Sequence, residues 1–411
     1  MAQAIGSKQR DIKMANLRLI LSALRQYGML SRSELSERLS ISAPSISKNV
    51  EDLLQRNVLL EHGTVVTNVG RRPNMLGINP DFCCVAVVDF SRVEIMVAIA
   101  DMKAELIDQT TISSGDKITH YQIQQTIDAL KQLLARNGQT ERLQAISIAT
   151  PGIINPANGN FLYAPRFVDY ENVNLNTMFS EAFDTAILMK NDINMATLGE
   201  ALFGAGKGIA NQLYVYVDHG LGAGLILDQK LYEGSRGIAG EVGTWLTDPH
   251  EMYLRYRSKD YSNLSVFDRE ISGHAIRQKV MKRLEAGEKS ILSSLAEDAD
   301  RLTFSQIVRA YHMNDPLCRE VVEESAIKFA CMLKNLIDFL DVDIVVIGGA
   351  VSQFGDGYLD VVKEFLSMVQ PIILPKLVWS ELQSEAGLHG AIGNALEYVF
   401  EQVVKQNQLT L

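Results

Sequence analysis

Ser45, Ser47, Lys48 and Asn49 form a short polar run of residue types that read nucleic acid. Asparagine can pair with adenine and serine with several bases, provided the run stands at the exposed start of a helix that enters a major groove. Further on, Gly70-Arg71-Arg72-Pro73 places two cations on a flexible step before a residue that stiffens the chain. Arg71 and Arg72 in such a place can enter a minor groove or hold phosphates, although a solvated linker would use the same Gly and Pro. Two more segments, Thr150-Pro151-Gly152 and Gly348-Gly349, are turns that follow apolar runs. In open α/β sheets, ligands gather at such carboxyl ends of strands.

The elements that must hold the polar run follow from periodicity. Leu17, Ile20, Leu21 and Leu24 recur at helical spacing and predict a first helix that ends before Gly28. Ser31 and Glu34 have capping-box spacing for a second helix through Leu39. After Ser40-Ile41-Ser42, Ser42 is the expected cap of a third helix, with Pro44 in its first turn and Ile46, Val50, Leu53 and Leu54 as its core face. This spacing predicts a helix-turn-helix, and a plain helical hairpin would share it. Val58–Glu61 and Thr64–Thr67 around His62-Gly63 predict a hairpin, the wing. Charge agrees: residues 1–72 hold 11 Lys and Arg against 6 Asp and Glu, a net +5, which leaves −15 on the remainder of a chain whose total is −10.

From Cys83 the pattern changes to α/β. Strands are expected at Cys83–Asp89, Val93–Asp101, Glu105–Ile112 and Ala145–Ala149, with a helix over Tyr121–Arg136. A second layer of the same kind is expected from Tyr214–Val217, Gly224–Leu227, a helical region from Phe267, and Asp343–Ile347. Two such lobes imply a ligand cleft. No apolar run is long enough to cross a bilayer and the first residues carry no secretory pattern, so cytoplasmic residence is expected. Cys83, Cys84, Cys318 and Cys331 lack metal-ligand spacing and are read as buried apolar residues, with no metal and no cofactor expected.

Several motifs together carry a family resemblance: Gly70-Arg71-Arg72-Pro73, Asn191-Asp192-x-Asn194-x-Ala196-x-x-Gly199-Glu200, Gly220-x-Gly222-Ala223-Gly224, Gly234-x-x-Gly237-x-Ala239-Gly240-Glu241-Val242-Gly243 and Gly348-Gly349. The chain resembles the ROK family of repressors, open reading frames and kinases over essentially its whole length, and its N-terminal module is similar to that of the repressor branch. The resemblance implies an actin-like, sugar-kinase-like (ribonuclease H-like) fold of two α/β lobes after a winged helix-turn-helix. It implies ligand contacts at Asn191, Asp192 and Glu241, and at Asp268 where the family has Glu, beside Gly152, which is a ligand candidate from its turn at a strand end. Asp192 matches the base of family kinases, and a carboxylate beside an amide can accept from and donate to adjacent hydroxyls. Capping of the next helix is an equally simple role for Asn191 and Asp192.

Departures from the family pattern redirect the function. Arg166 replaces the Asn of a Pro-Asn sugar contact, and could pair with a phosphate or carboxylate or lie on the surface. Gly243-Thr244-Trp245 lacks the family's zinc-binding His, and residues 244–272 contain no cysteine. The first phosphate loop reads Asp89-Phe90-Ser91-Arg92-Val93 without its glycine, and Gly220-Leu221-Gly222 has Leu in place of a Thr hydroxyl. Catalysis is therefore not expected. The expected protein is a homodimeric or homotetrameric repressor of carbohydrate genes that binds double-stranded operator DNA and a sugar or sugar-phosphate effector. A ROK sugar kinase and a regulator controlled by a protein partner are the alternatives. The expected domains are residues 1–72, a linker at 73–80, a first lobe at 81–190, and a second lobe with the oligomerisation helices at 191–411.

Overall fold

Helix α1 (Ala2–Tyr27) stops at Gly28, whose φ of +77° no helix continues. Strand β1 (Leu30–Ser31) leads into α2 (Arg32–Leu39), where Ser31 Oγ accepts from the Glu34 amide at 3.2 Å and the Glu34 carboxylate accepts from the Ser31 amide at 2.7 Å. These bonds, the backbone one first, hold the Glu34 carboxyl below its ordinary range. Ser40 takes a left-handed conformation and turns the chain toward α3 (Ala43–Gln55), where Ser42 precedes the helix without a side-chain cap bond. Leu17, Ile20, Leu21, Leu24, Leu35, Ile46, Val50 and Leu53 are all buried, so three helices close one small core. The computed structural model describes residues 2–63, 74–156, 158–259, 266–293, 302–369 and 373–406, with side chains from residue 11 onward.

Strand β2 (Leu59–His62) pairs antiparallel with β3 (Met75–Ile78), and β3 also pairs with β1. This corrects the reading of residues 73–80 as linker. Leu76 and Ile78 bury their side chains beside Leu59, and Asn79 ties the strand end back to Asn57 O at 2.8 Å, so the segment belongs to the N-terminal sheet. The expected second wing strand, Thr64–Thr67, lies outside the described residues, as do Arg71 and Arg72.

Next come β4 (Cys84–Asp89), β5 (Glu94–Asp101), β6 (Leu106–Ser113), α4 (His120–Arg136), β7 (Leu143–Thr150), β8 (Ile153–Ile154), β9 (Phe161–Tyr163), α5 (Leu175–Ala182) and β10 (Ala186–Asn191). Their main sheet has the order β10-β7-β4-β5-β6, with β10, β7 and β4 parallel and β5 and β6 antiparallel. Every residue of β4 is buried while β6 alternates, as expected for a central strand and an edge strand.

After α6 (Asp192–Phe203), strands β11 (Gln212–Val217), β12 (Leu221–Leu227) and β13 (Lys230–Leu231) precede α7 (Pro249–Ser258), α8 (Asp268–Ile271), α9 (Gly273–Glu285), α10 (Phe304–His312) and α11 (Pro316–Leu340). Strand β14 (Ile344–Gly348), α12 (Asp356–Val369), β15 (Lys376–Trp379) and α13 (Ala386–Gln406) complete the described chain. The second sheet runs β15-β14-β11-β12-β13, repeating the order of the first: opening strand at the centre, hairpin to one side, parallel strands to the other. Two compact units result, residues 1–195 with 388–411 and residues 196–387. Most of α13 thus belongs to the first unit, whereas the sequence places it in the second lobe. Cys83, Cys84 and Cys318 are buried as expected, but Cys331 is exposed because it sits on the outer face of α11.

Candidate functional site

On α3, Pro44, Ser47, Lys48, Glu51 and Gln55 are exposed at helical spacing and form one solvent face. Ser47 and Lys48 of the expected reading set stand on it, and Lys48 makes no ion pair among the described residues. Ser45 and Asn49 do not. Asn49 is only 3% exposed and donates to the Ser45 carbonyl at 2.9 Å, while Ser45 Oγ accepts from Asn16 Nδ2 at 3.1 Å. Ile46, Asn49, Val50 and Leu53 have i, i+3, i+4, i+7 spacing, so Asn49 completes the inward stripe that the apolar residues begin. Asn49→Ala is therefore expected to lower the unfolding free energy by about 1 kcal/mol for the lost buried hydrogen bond and to leave base preference unchanged. Urea unfolding beside operator selection with the variant checks both halves.

Part of the expected ligand set gathers in the first unit where β7 and β10 end side by side, Thr150 in register with Asn191. Gly152 has φ +111°, and a Cβ there would lie 2.4 Å from the Tyr163 carbonyl oxygen, so only glycine fits this turn. Its carbonyl accepts from Asn191 Nδ2 at 3.0 Å, and Asn191 Oδ1 accepts from the amides of Ile193 (2.9 Å) and Asn194 (3.3 Å). Asn191 caps α6 and pins the turn. Asp192, the first residue of α6, is half-buried, and its Oδ1 accepts from the Ile193 amide at 3.0 Å.

Arg166 is engaged by the chain itself. Its guanidinium donates to the carbonyls of Phe90 (3.0 Å), Ser91 and Arg92 and to Ser114 Oγ (3.2 Å). Burial pushes its pKa down, while Asp89, Asp192 and Asp116 act the other way. Asp89, 2% exposed, accepts from Ser91 N at 2.9 Å and Oγ at 2.5 Å, and from Arg92 Nε at 3.1 Å. The loop at the end of β4 is thus closed by its own side chains and by Arg166. A guanidinium with four N–H bonds committed to the chain has little left for a phosphate or carboxylate, a use of Arg166 that sequence reasoning missed because three of the acceptors lie some 75 residues upstream and the fourth 52.

In the second unit, Glu241 and Asp268 flank the start of β12. Asp268 accepts from the Leu221 amide, and the Gly240 carbonyl accepts from the Ala223 amide at 2.9 Å. A Cβ on Gly240 would meet the Ala223 oxygen at 1.9 Å, so the glycine lets the Glu241 segment lie against the strand. Burial pushes both carboxyls up, unopposed at Glu241 and partly opposed at Asp268 by the Leu221 bond, Arg269 and His274. Carboxyls of this kind serve polyol hydroxyls as acceptors or donors.

A raised pKa in the folded state means that the charged form of Glu241 opposes folding at neutral pH. This cost disappears as pH falls and the carboxyl takes up its proton. Glu241→Gln is expected to raise the thermal midpoint by about 1–2 °C at pH 8. The gain should vanish below the ordinary carboxylate range, where Glu241 is protonated in both states. Melting curves across pH test this.

Glu200, buried in the same unit, is structural: it accepts from Ser380 Oγ (2.6 Å) and from the amides of Leu382 (2.9 Å) and Ala205 (2.8 Å). Among the described residues no group of His, Cys and carboxylates is arranged to hold a metal ion, and no helix is long and apolar enough to cross a membrane.

The xylose repressor of Caldicellulosiruptor bescii is 26% identical over 389 residues, 93% of this chain and 95% of its own. A solved ROK family transcriptional regulator, a homologue of the E. coli MLC protein, superposes with a TM-score of 0.78 at 24% identity and covers 96% of this chain and 98% of its own. The ROK hexokinase from Thermus thermophilus covers 77% of this chain and 99% of its own, with a TM-score of 0.63 and 22% identity. The regulator and the hexokinase share the α/β fold of two sheets found here. Residues 85–397 match the ROK family, well over half of the sequence, and the chain therefore belongs to that family.

Proposed function

We propose that the chain is a DNA-binding transcription regulator, a repressor of carbohydrate-metabolism genes. In this reading the N-terminal module, with β3 included, is a winged helix-turn-helix. The two sheets form a sugar-kinase-like sensor, and the protein binds a pseudopalindromic operator in the cytoplasm as a dimer or dimer of dimers. One observation carries the reading: α3 holds a polar, solvent-facing first half, Ser47 and Lys48 included, on a small helical core of net positive charge. The full-length similarity to a protein named xylose repressor supports it.

Phosphoryl transfer is not part of this function. Such chemistry needs a backbone cradle open to phosphate, and here the loop of Asp89 to Arg92 is filled by the guanidiniums of Arg92 and Arg166. The same engagement of Arg166 favours an uncharged sugar over a sugar phosphate, because Asp116 and Asp192 lie near it as carboxylates and Asp89 is already paired with Arg92. The effector works by binding the DNA-competent and incompetent states unequally.

Operator selection from random DNA, followed by fluorescence anisotropy with neutral sugars and their phosphates, tests the reading. A palindrome whose affinity shifts with one neutral sugar supports it. Failure to select any sequence overturns it, and sugar-dependent ATP turnover abolished by Asp192→Asn would replace it with a kinase. Lys48→Ala is expected to weaken binding to all sequences alike and to reduce the slope of log K against log salt by about 1, measured by anisotropy titrations at several salt concentrations.

A further inference from the structure

Helix α1 has a second face besides the one that closes the small helical core. Leu17, Ile20, Leu21 and Leu24 are buried, and Leu17 is the first buried residue among those described, although the helix begins at Ala2. On the other side Ile12 is 60% and Leu19 46% exposed, with Ala15, Ser22 and Gln26 exposed between and after them. Steps of three and four residues alternate along this row, the period of a coiled-coil seam, and the sequence continues it upstream through Lys8 and Ile5. Ile5, Ile12 and Leu19 thus recur every seven residues, with Lys8, Ala15 and Ser22 at the intervening seam positions. Exposed aliphatic residues scattered singly need no explanation, but a regular stripe of them on a helix that buries nothing in its described residues before Leu17 calls for a partner.

The charges beside the stripe indicate which partner fits. Asp11 and Arg18, each one residue before an aliphatic member, are exposed and make no ion pair among the described residues. In a parallel pair of α1 helices these positions would face Asn16 and Ala23 of the second copy, and neither answers a charge. In an antiparallel pair with Ile12 against Ala15, Asp11 of each copy faces Arg18 of the other, so the two-fold axis makes both ion pairs at once. The same register sets Leu19 against the aliphatic stem of Lys8 and Ile5 against Ser22. Every large aliphatic residue then meets a smaller or flexible one, which lets the two helices approach.

We propose that the outer face of α1 is an interface with α1 of a second copy, antiparallel, with Ile5, Ile12 and Leu19 in the seam and Asp11 and Arg18 paired across it. Its consequence for DNA rests on the function proposed above: the pair joins two DNA-binding modules, so that release from one half-site leaves the other held nearby and the palindrome is bound more tightly than its halves. The pairing itself forms without DNA.

The test uses the full chain carrying Cys331→Ser, which removes the exposed native thiol. Ile12→Cys and Ala15→Cys are made in separate chains, expressed singly and together with different tags, and oxidised without DNA. A disulfide needs Cα atoms within about 7 Å, so the antiparallel register predicts a covalent dimer of about tenfold greater yield in the mixture than in either chain alone. Leu19→Glu in both chains should abolish it. Arg18→Glu should reduce it about fivefold at low salt, and Asp11→Lys added to Arg18→Glu should restore it. Leu19 is exposed, so its variant keeps the fold, as circular dichroism checks; its affinity for a selected palindrome should fall about tenfold while that for a single half-site stays unchanged. Equal cross-linking by Ile12→Cys alone would replace the antiparallel pair with a parallel one. Absence of a covalent dimer in every sample overturns the interface, and so does an Arg18→Glu variant with unchanged cross-linking, weaker half-site affinity and a shallower salt slope, which would make Arg18 a phosphate contact. Cross-linking as expected in a protein that selects no DNA sequence keeps the interface and overturns only the DNA-binding function.

Discussion

Asp192→Asn is expected to weaken effector binding by about 10- to 100-fold and to leave operator affinity without effector unchanged, the range given by loss of a charge-assisted hydrogen bond. The reason lies in how the adjacent pair divides its work. Asn191 spends Oδ1 on the first turn of α6 and Nδ2 on the Gly152 carbonyl, so its amide holds the turn in place. Asp192 stands next to it, half-buried, a carboxylate of the kind that accepts from neighbouring hydroxyls. The isosteric amide keeps the shape. Its loss at the start of α6, where negative charge is favoured, costs only about 0.3–1 kcal/mol of stability. Calorimetric titration with the effector, beside anisotropy with the operator, separates the two effects. An unaltered effector affinity would mean that the sugar is held elsewhere.

Arg166→Met should lower the stability of the first unit by about 2–4 kcal/mol, because it removes hydrogen bonds from a charged donor to three carbonyls and one hydroxyl. It also takes a cation from among Asp89, Asp116 and Asp192. Asp89 keeps Ser91 and Arg92 as partners, so the damage should concentrate in the carbonyls of residues 90–92. Arg166→Lys should recover only part of the loss, since an ammonium cannot reproduce the planar fork that reaches several acceptors at once. Urea unfolding with a probe in the first unit measures both. If Arg166→Met were as stable as wild type but no longer bound effector, the guanidinium would be a ligand contact after all.

Much of the N-terminal module was legible because its determinants are local. Ser31 and Glu34 announce a capping box by spacing alone, and the apolar residues of α1 and α3 fall on one face at helical period. The two sheets were legible for a related reason: buried parallel strands such as β4 and β14 read as short continuous apolar runs. Gly152 and Gly240 were visible as glycines in motifs, although the oxygen atoms that exclude a side chain, on Tyr163 and Ala223, come from other segments.

The rest depended on partners distant in sequence. Asn49 looks like a reading residue by type, and only packing shows that its position completes the buried stripe. Met75–Ile78 looks like a linker beside Pro73, and it becomes a strand because β1 and β2 leave it an edge on each side. Arg166 looks available to an anion until the β4 loop brings three carbonyls to it, and Arg25 and Arg56 count only toward the basic charge of residues 1–72 until α13 arrives from the other end of the chain. Sequence by itself determined the three N-terminal helices, the central strands of both sheets and the family resemblance, because propensity, capping and periodicity act within a few residues. The tertiary structure alone decided which polar groups are committed and which still face outward, because a hydrogen bond or ion pair depends on where two segments meet in space, and that meeting is set by packing of the whole chain.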